Sequence, residues 1–151
     1  MIAIASDHAG LALKNEIIVL LEEMNLKYRD FGTNSTERTD YTRYGYPAAL
    51  AVASGECEKG LLFCGTGIGI SLAANKVKGI RCAVCSDCYS AVLSRQHNNA
   101  NMLALGARVV GVDLARMIAK LWLETSFEGG RHQIRIDHIS QIETGKVIFL
   151  E

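Results

Sequence analysis

Short apolar runs alternate with amphipathic segments along the whole chain of 151 residues. Each apolar run is brief and rich in aliphatic side chains, which favours a buried β-strand. The second segment, residues 26–31, reads LKYRDF and looks extended, and Gly32 closes it as expected where an extended segment ends. The pattern predicts five strands, over residues 2–6, 26–31, 60–64, 80–85 and 101–106.

Between the strands, apolar residues recur at the spacing of one helix face. The segment after the first strand places Leu13, Ile17 and Leu20 on such a face. Pro47 is expected in the first turn of a helix that runs through Ala53, after a polar loop, because proline is tolerated there. The other predicted helices cover residues 69–76 and 87–96, a segment marked by Leu114, Met117, Ile118 and Leu121, and a last segment that begins near Arg131.

Strands and helices alternate without a break, and this alternation indicates a parallel sheet with helices on both faces. The predicted fold class is therefore α/β, a single Rossmann-like three-layer domain with a five-stranded parallel sheet. Ligands of such sheets bind at the carboxyl ends of the strands. Candidate residues follow three of the strands at this edge: Asp7 and His8 the first, Cys64 to Gly69 the third, and Arg108 the fifth.

Composition narrows the possible partners. The chain has 49% hydrophobic residues, enough for one sizeable core, and sixteen Lys and Arg balance sixteen Asp and Glu. No overall field attracts nucleic acid or an anionic membrane. The longest aliphatic run, residues 17–21, is too short to span a bilayer, and the MIAIASD start lacks the basic region of a signal peptide. We expect a cytoplasmic protein without nucleic-acid or membrane partners.

Residues 63–71 read FCGTGIGIS, in which a cysteine ends an apolar run and three glycines follow at alternate positions. A Walker A loop is excluded, because Gly69 is not followed by the required Lys-Ser/Thr pair. A dinucleotide-binding module remains open, since Asp87 lies at about the expected distance downstream. The G-x-G-x-G spacing nevertheless differs from G-x-G-x-x-G.

Alternate glycines expose backbone N–H groups at the start of a helix, where they can stabilise an oxyanion. Cys64 would share this positive potential, which favours its thiolate form. A thiolate beside such amides suits nucleophilic attack or proton abstraction. The alternatives are simple burial for Cys64, a solvated position for His97 and helix capping by Asp7.

Two further patterns carry possible chemistry. Cys82, Cys85 and Cys88 have the C-x2-C-x2-C spacing of a zinc or iron–sulfur site, although small thiols on a buried strand are the simpler interpretation. Arg131 and Arg135, in GGRHQIR, lie one helical turn apart and suit a phosphate, with a solvated basic face as the alternative.

The motifs SDHAG, ERTDY, CGTGIGIS, SRQHNNAN, LALGARVVG and EGGRH follow one another in this chain. Together they resemble the ribose-5-phosphate isomerase B family, which is grouped with the subunits of galactose-6-phosphate isomerase. The resemblance implies one sugar-phosphate isomerase domain over residues 1–151 that interconverts ribose 5-phosphate and ribulose 5-phosphate without a metal or organic cofactor. It also implies a homo-oligomer, dimer or tetramer, with an active site shared between two subunits. A six-carbon aldose phosphate, such as allose 6-phosphate or galactose 6-phosphate, is the alternative substrate.

The resemblance also implies roles for individual residues. Cys64 is implied as the base that takes the proton from C2, and His97 as the acid that assists ring opening. Thr66 is implied as a third catalytic residue. Its amide is one of those in residues 65–69 that would stabilise the enediolate. Some relatives use a glutamate as the base at the position of Ile70. Isoleucine is not acidic, which favours Cys64 as the base in this chain. The implied substrate contacts are Asp7, His8, Tyr41, Gly65, Gly67, Ile68, Gly69, Asn98, Arg108, Arg131 and Arg135.

Overall fold

The computed structural model describes residues 1–146 and Phe149. The predicted domain of residues 1–151 thus includes residues 147, 148, 150 and 151, which lie outside the described part. The strands are β1 (Ile2–Ser6), β2 (Tyr28–Asp30), β3 (Lys59–Cys64), β4 (Cys82–Val84) and β5 (Met102–Gly106). The helices are α1 (Leu11–Glu23), α2 (Thr42–Ala53), α3 (Ile68–Ala74), α4 (Cys88–Gln96), α5 (Val112–Glu124) and α6 (Arg131–Glu143).

The strands form one parallel sheet in the order β2-β1-β3-β5-β4. One face carries larger side chains, such as Ile4, Leu61 and Phe63, which pack with α1, α4 and α5. The other face carries Ala3, Ala5 and similar residues against α2 and α3, so these helices approach the sheet closely. Both faces are therefore covered, and the predicted three-layer α/β fold with a five-stranded parallel sheet is confirmed.

The chain changes direction across the sheet between β1 and β3, since β2 lies on the outer side of β1 and the later strands lie beyond β3. Crossover connections on the two sides then leave a crevice between the carboxyl ends of β1 and β3. The Asp7 amide donates to the Phe63 carbonyl there, at 3.2 Å. Gly10 lies against β3 so closely that a Cβ atom would come 2.4 Å from the Phe63 carbonyl carbon. This crevice holds Asp7 and Cys64 at its two sides.

The predicted start of α2 was wrong, because the helix begins at Thr42 and contains Pro47 in its interior. Backbone bonds close the turn before the proline, with the Gly45 amide donating to the Tyr41 carbonyl at 2.9 Å. Gly45 also packs so closely on Ile70 of α3 that a Cβ atom would come 2.6 Å from its Cγ1. We attribute the longer helix to this packing, which offsets the backbone hydrogen bond that proline cannot donate.

The predicted fourth strand was also partly wrong. It is three residues long, not six, and forms an edge of the sheet with Cys82 and Ala83 half-buried and Val84 exposed. An edge strand pairs with only one other strand, so its apolar side chains can stay partly exposed. The apolar composition of this segment therefore did not show how far the strand is buried.

The apolar residues that mark α5 mostly face outward. Ile118 is buried, whereas Leu114, Met117 and Leu121 are 38%, 57% and 37% exposed. The core side of the helix is formed instead by Ala115, Ala119, Trp122 and Ile118. No helix within residues 1–146 is long and apolar enough to cross a membrane.

A buried lysine joins α1 to β2 and to the loop after it. Lys14 is fully buried, and its Nζ donates to both Asp30 carboxylate oxygens, at 2.8 and 2.7 Å. The same group donates to the Thr33 carbonyl at 2.8 Å and to Asn34 Oδ1 at 3.0 Å. This network fixes the beginning of the loop that leads to Tyr41.

We expect Lys14→Met to lower the free energy of unfolding by about 3 kcal/mol, because it leaves the partners of a buried cation unsatisfied. Urea unfolding measures the loss, with Lys27→Met at an exposed position as the matched control. A loss no larger than the roughly 1 kcal/mol of a surface ion pair would contradict a central role for this network.

Candidate active site

The glycine loop after β3 holds the Cys64 side chain through a backbone contact. The Gly67 N–H donates to Cys64 Sγ at 3.1 Å, and the sulfur is buried. Gly67 has φ +78°, and a Cβ atom there would lie 2.9 Å from the Leu105 carbonyl carbon. A side chain at this position would therefore disturb both the turn and the N–H that faces the sulfur.

The residues after β1 have mainly backbone partners. Asp7 Oδ1 accepts from the Ala9 and Gly10 amides, at 2.9 and 3.0 Å, so the carboxylate holds the turn that precedes α1. The N-cap of α1 itself is Gly10, so Asp7 is not the helix cap that the alternative proposed. His8 Nδ1 lies 3.2 Å from both the amide nitrogen and the carbonyl oxygen of Thr39, so it accepts from the amide in one tautomer and donates to the carbonyl in the other.

Tyr41 lies over the glycine loop. Its ring is so close to Gly69 that a Cβ atom on this glycine would come 2.7 Å from Tyr41 Cε1. The preceding loop is held by Thr39, whose backbone contacts His8 and whose hydroxyl lies 3.2 Å from the Tyr44 hydroxyl. Thr39 was not among the predicted residues, because its contribution is a backbone contact over a long sequence separation.

Arg108 adds a positive charge to the same loop. Its amide donates to the Gly65 carbonyl at 3.0 Å, and Nη1 lies 3.3 Å from the position of a Cβ atom on Gly65. The side chain is exposed. Asp7, His8, Tyr41, residues 64–69 and Arg108 thus meet at the carboxyl ends of β1, β3 and β5, and we call them the carboxyl-edge group.

The other predicted residues lie at the opposite, amino-terminal edge of the sheet. His97 is the C-cap of α4, and Asn98 follows it shortly before β5 begins. The Asn98 carbonyl accepts from Nε of Arg81, which directly precedes β4, at 3.0 Å. Arg131 begins α6 beside His132, whose ring stacks on that of His97. We call His97, Asn98, Arg131 and Arg135 the amino-edge group.

The two groups of one chain are well separated. β5 runs from Met102, near the amino-edge group, to Gly106, which pairs with Cys64. Five residues of strand cover roughly 13 to 17 Å. Proton transfer needs contact at about 3 Å or through one water, so Cys64 and His97 of the same chain do not act on one substrate together.

His97 has two partners that the sequence did not single out. Its ring lies parallel to that of His132, with centroids 4.1 Å apart, and its Nε2 is 3.9 Å from Glu128 Oε2. Burial lowers the pKa of His132, and the nearby His97 and Arg131 act in the same direction. The neutral imidazole is thus the favoured form of His132. The EGGRH motif contained both Glu128 and His132, but nothing in its spacing indicated that they meet His97.

The dinucleotide-binding alternative loses its main support. Asp87 is the N-cap of α4 and accepts from the Ser90 amide at 2.7 Å, which lowers the pKa of its carboxyl. The residue expected to hold a dinucleotide ribose therefore has a structural role.

The three spaced cysteines likewise lack a common centre. Burial raises the pKa of Cys82 and raises that of Cys85 to about 11, so both favour the thiol, which is a poor ligand. Within residues 1–146 and 149, the group of metal-ligating side chains that converge is a different one, His97, Glu128 and His132.

Comparison with known proteins identifies the family of the chain. A family model described as Ribose/Galactose Isomerase matches residues 2–139. The chain is 56% identical over 142 residues to ribose-5-phosphate isomerase B of Escherichia coli K12, covering 94% of this chain and 95% of that protein.

Two solved structures have the same fold. Ribose-5-phosphate isomerase B of Clostridium thermocellum has a TM-score of 0.94 and 53% identity, covering 95% of this chain and 97% of that one. The enzyme of Mycoplasma genitalium, solved with bound ribulose-5-phosphate, has a TM-score of 0.91 and 41% identity over 95% of each chain. The predicted family and enzyme class are confirmed: the chain belongs to the ribose/galactose isomerase family.

Proposed function

We propose that this protein interconverts ribose 5-phosphate and ribulose 5-phosphate, with Cys64 as the base. The observation that carries the proposal is the contact between Cys64 Sγ and the Gly67 amide in the crevice between β1 and β3. The names of the relatives and the ribulose-5-phosphate bound to the Mycoplasma enzyme support the same substrate pair.

The reaction moves one hydrogen between neighbouring carbons. The Cys64 thiolate takes the proton from C2 of the open-chain aldose, and the electron pair moves toward the carbonyl oxygen on C1. Amides of residues 65–69 stabilise the enediolate that forms. The resulting thiol returns a proton to C1, and the hydroxyl proton on O2 moves to O1 as the carbonyl forms at C2. No electrons leave the substrate, so the step balances without a redox cofactor.

We propose that a second copy of the chain supplies the amino-edge group. The separation of Cys64 and His97 by the length of the sheet supports this arrangement. Exposed apolar residues support it as well: Ile68 and Leu72, on α3 directly after the glycine loop, are 54% and 59% exposed. A partner that covers this surface would bring its own side chains close to Cys64.

The phosphate would lie between arginines of both copies. Arg108 is placed beside Gly65 in the same chain, and Arg131 and Arg135 would come from the second copy. Arginine holds phosphate through paired, charge-assisted hydrogen bonds. Binding of the phosphate then positions the short reacting end of the sugar at Cys64.

We expect Arg135→Ala to raise KM for ribose 5-phosphate about 10- to 100-fold, with a smaller effect on kcat, because a hydrogen bond to a charged group contributes about 1.5 to 3 kcal/mol. Steady-state kinetics measures the change. Arg116→Ala, at an ion pair between α5 and α1, is the matched control. An unchanged KM in Arg135→Ala would defeat the phosphate assignment.

Isomerisation of ribose 5-phosphate by the purified protein tests the proposed activity, with allose 6-phosphate assayed in parallel. We expect turnover of ribose 5-phosphate that Cys64→Ser abolishes and that a chelator does not reduce. Turnover of allose 6-phosphate alone would replace the five-carbon substrate with a six-carbon one. Absence of both activities would overturn the proposed function. A cytoplasmic location stays a prediction.

A further inference from the structure

A series of hydrogen-bonding groups connects the first turn of α2 with one of the predicted substrate contacts. The Tyr44 hydroxyl lies 3.2 Å from the Thr39 hydroxyl, and the backbone of Thr39 meets the ring of His8. Tyr44 was not among the predicted site residues. It is nevertheless joined to one of them, His8, through Thr39.

The Thr39 backbone holds His8 through both of its polar groups. His8 Nδ1 is 3.2 Å from the Thr39 amide nitrogen and 3.2 Å from its carbonyl oxygen. Among residues 1–146 and 149, His8 is the hydrogen-bond partner of both backbone groups. Because the polar backbone groups of a partly buried loop need partners, the ring and the loop fix each other. With Nδ1 held in this way, Nε2 is the ring nitrogen that remains for a substrate.

The position of Thr39 depends in turn on its side chain. Thr39 lies in the loop of residues 31–41, which runs from β2 to α2. Its hydroxyl contacts Tyr44, which belongs to α2, and this helix is packed on the sheet. The contact therefore ties the loop to a rigid element and keeps Thr39 beside His8.

The ring and the hydroxyl of Tyr44 have separate roles. The ring packs against the apolar cluster under α2, and so closely on Gly32 that a Cβ atom there would lie 2.9 Å from Tyr44 Cδ1. The hydroxyl contacts polar groups of the loop instead. The Thr33 and Thr39 hydroxyls lower the pKa of Tyr44, as expected where hydroxyl donors stabilise the phenolate. Tyr44→Phe therefore removes the polar contacts and keeps the packing.

The position of the His8 ring matters for the reaction. His8 follows β1 directly, at the side of the crevice opposite Cys64. A substrate contact must be held to a fraction of an ångström, because a misplacement of about 1 Å can lower a rate roughly 100-fold. Thr39 supplies the hydrogen bonds of the His8 ring within the part of the chain that the structure describes. A shift of Thr39 would therefore move Nε2 relative to the bound sugar.

We propose that Tyr44 is a positioning residue of the isomerase, which acts on the substrate through Thr39 and His8. Its hydroxyl holds Thr39, and the Thr39 backbone holds the His8 ring with Nε2 available to the sugar phosphate. Tyr44 itself exchanges no proton with the substrate. This role rests on the proposed function, since it requires that His8 contacts the sugar phosphate.

Steady-state turnover of ribose 5-phosphate by Tyr44→Phe tests the role. We expect kcat/KM to fall about tenfold, which is near the upper end of what one neutral hydrogen bond contributes. Thr39→Val should give a similar loss, whereas Thr39→Ser, which keeps the hydroxyl, should retain most of the activity. Tyr28→Phe is the matched control, because it removes a tyrosine hydroxyl that donates to Glu22 at the surface, at 3.1 Å.

A double-mutant cycle with His8→Ala separates the positioning of His8 from a general loss of structure. Once His8 is replaced by alanine, we expect Tyr44→Phe to lower kcat/KM by about twofold or less, because the side chain that it positions is absent. A loss of about tenfold in both backgrounds would overturn the role, and so would an unchanged kcat/KM in Tyr44→Phe alone. Circular dichroism checks that each variant is folded.

Nitrogen NMR of the histidine rings tests the contact without turnover. We expect Tyr44→Phe to shift the His8 Nδ1 resonance and to leave the resonances of His138 in place, and Tyr28→Phe to move neither. An unchanged His8 resonance in Tyr44→Phe would overturn the proposed connection. A natural protein that shows no isomerase activity would instead contradict the proposed function.

Discussion

Cys64→Ser is expected to lower kcat for ribose 5-phosphate by about 10³-fold, within the 10²- to 10⁴-fold range of general-base catalysis. A serine hydroxyl has nearly the same shape and can still accept from the Gly67 N–H. It is a far weaker acid than a thiol, however, so almost none of it is ionised at neutral pH. The variant should therefore keep the fold and lose the base.

The measurement is ribulose 5-phosphate formation at saturating substrate, together with circular dichroism. Cys88→Ser is the matched control, because Cys88 is a half-buried free thiol at the start of α4. We expect the control to retain its activity. A Cys64→Ser enzyme with kcat close to that of the natural protein would remove Cys64 as the base.

His97→Asn is expected to lower kcat/KM for ribose 5-phosphate by about 10²-fold, because asparagine cannot supply the acid that assists ring opening. The side chain of His97 is 37% exposed at the end of α4, so it can face a substrate bound to another copy of the chain. The ring of His132 stacks on it, and Glu128 Oε2 lies 3.9 Å from its Nε2.

Initial rates with freshly dissolved substrate measure this effect. His138→Asn, at a half-buried position on α6, is the control for removal of a histidine. The same kcat/KM in His97→Asn as in the natural protein would exclude His97 from the chemistry.

Much of the fold could be predicted, because the strands other than β2 are short apolar runs bounded by polar or glycine residues. β2 reads Tyr-Arg-Asp and was predicted from its extended appearance before Gly32. The residues of the carboxyl-edge group other than Tyr41 could be placed together for the same reason, since each follows a predicted strand. Cys64, Asp7 and Arg108 lie at that edge in the structure as expected. Their roles in the reaction stay predictions.

Strand order could not be read from periodicity. The predicted helix over residues 87–96 precedes the strand over residues 101–106, so a parallel sheet already implied that His97 and Asn98 lie at the edge opposite to Asp7 and His8. Periodicity also does not distinguish an apolar face that meets the core from one that meets another chain. This is why Leu114, Met117 and Leu121 marked α5 correctly although all three are exposed, at 38%, 57% and 37%.

Pro47 shows a different limit. Local preference favours a helix that begins at proline, and contacts distant in sequence extend the helix toward Thr42. Glu128 and Lys14 are similar cases, because each has partners on segments that only the folded chain brings together. Sequence reasoning therefore found residues with distinctive motifs and missed those that hold them in place.

The central claim is that each active site combines the carboxyl-edge group of one chain with the amino-edge group of another. Co-refolding equal amounts of Cys64→Ser and His97→Asn tests it directly through turnover of ribose 5-phosphate. Random pairing gives about one quarter of the sites an intact Cys64 and an intact His97. We predict recovery to about a quarter of the natural rate, far above either variant refolded alone. A mixture no more active than the two separate variants would contradict the shared site.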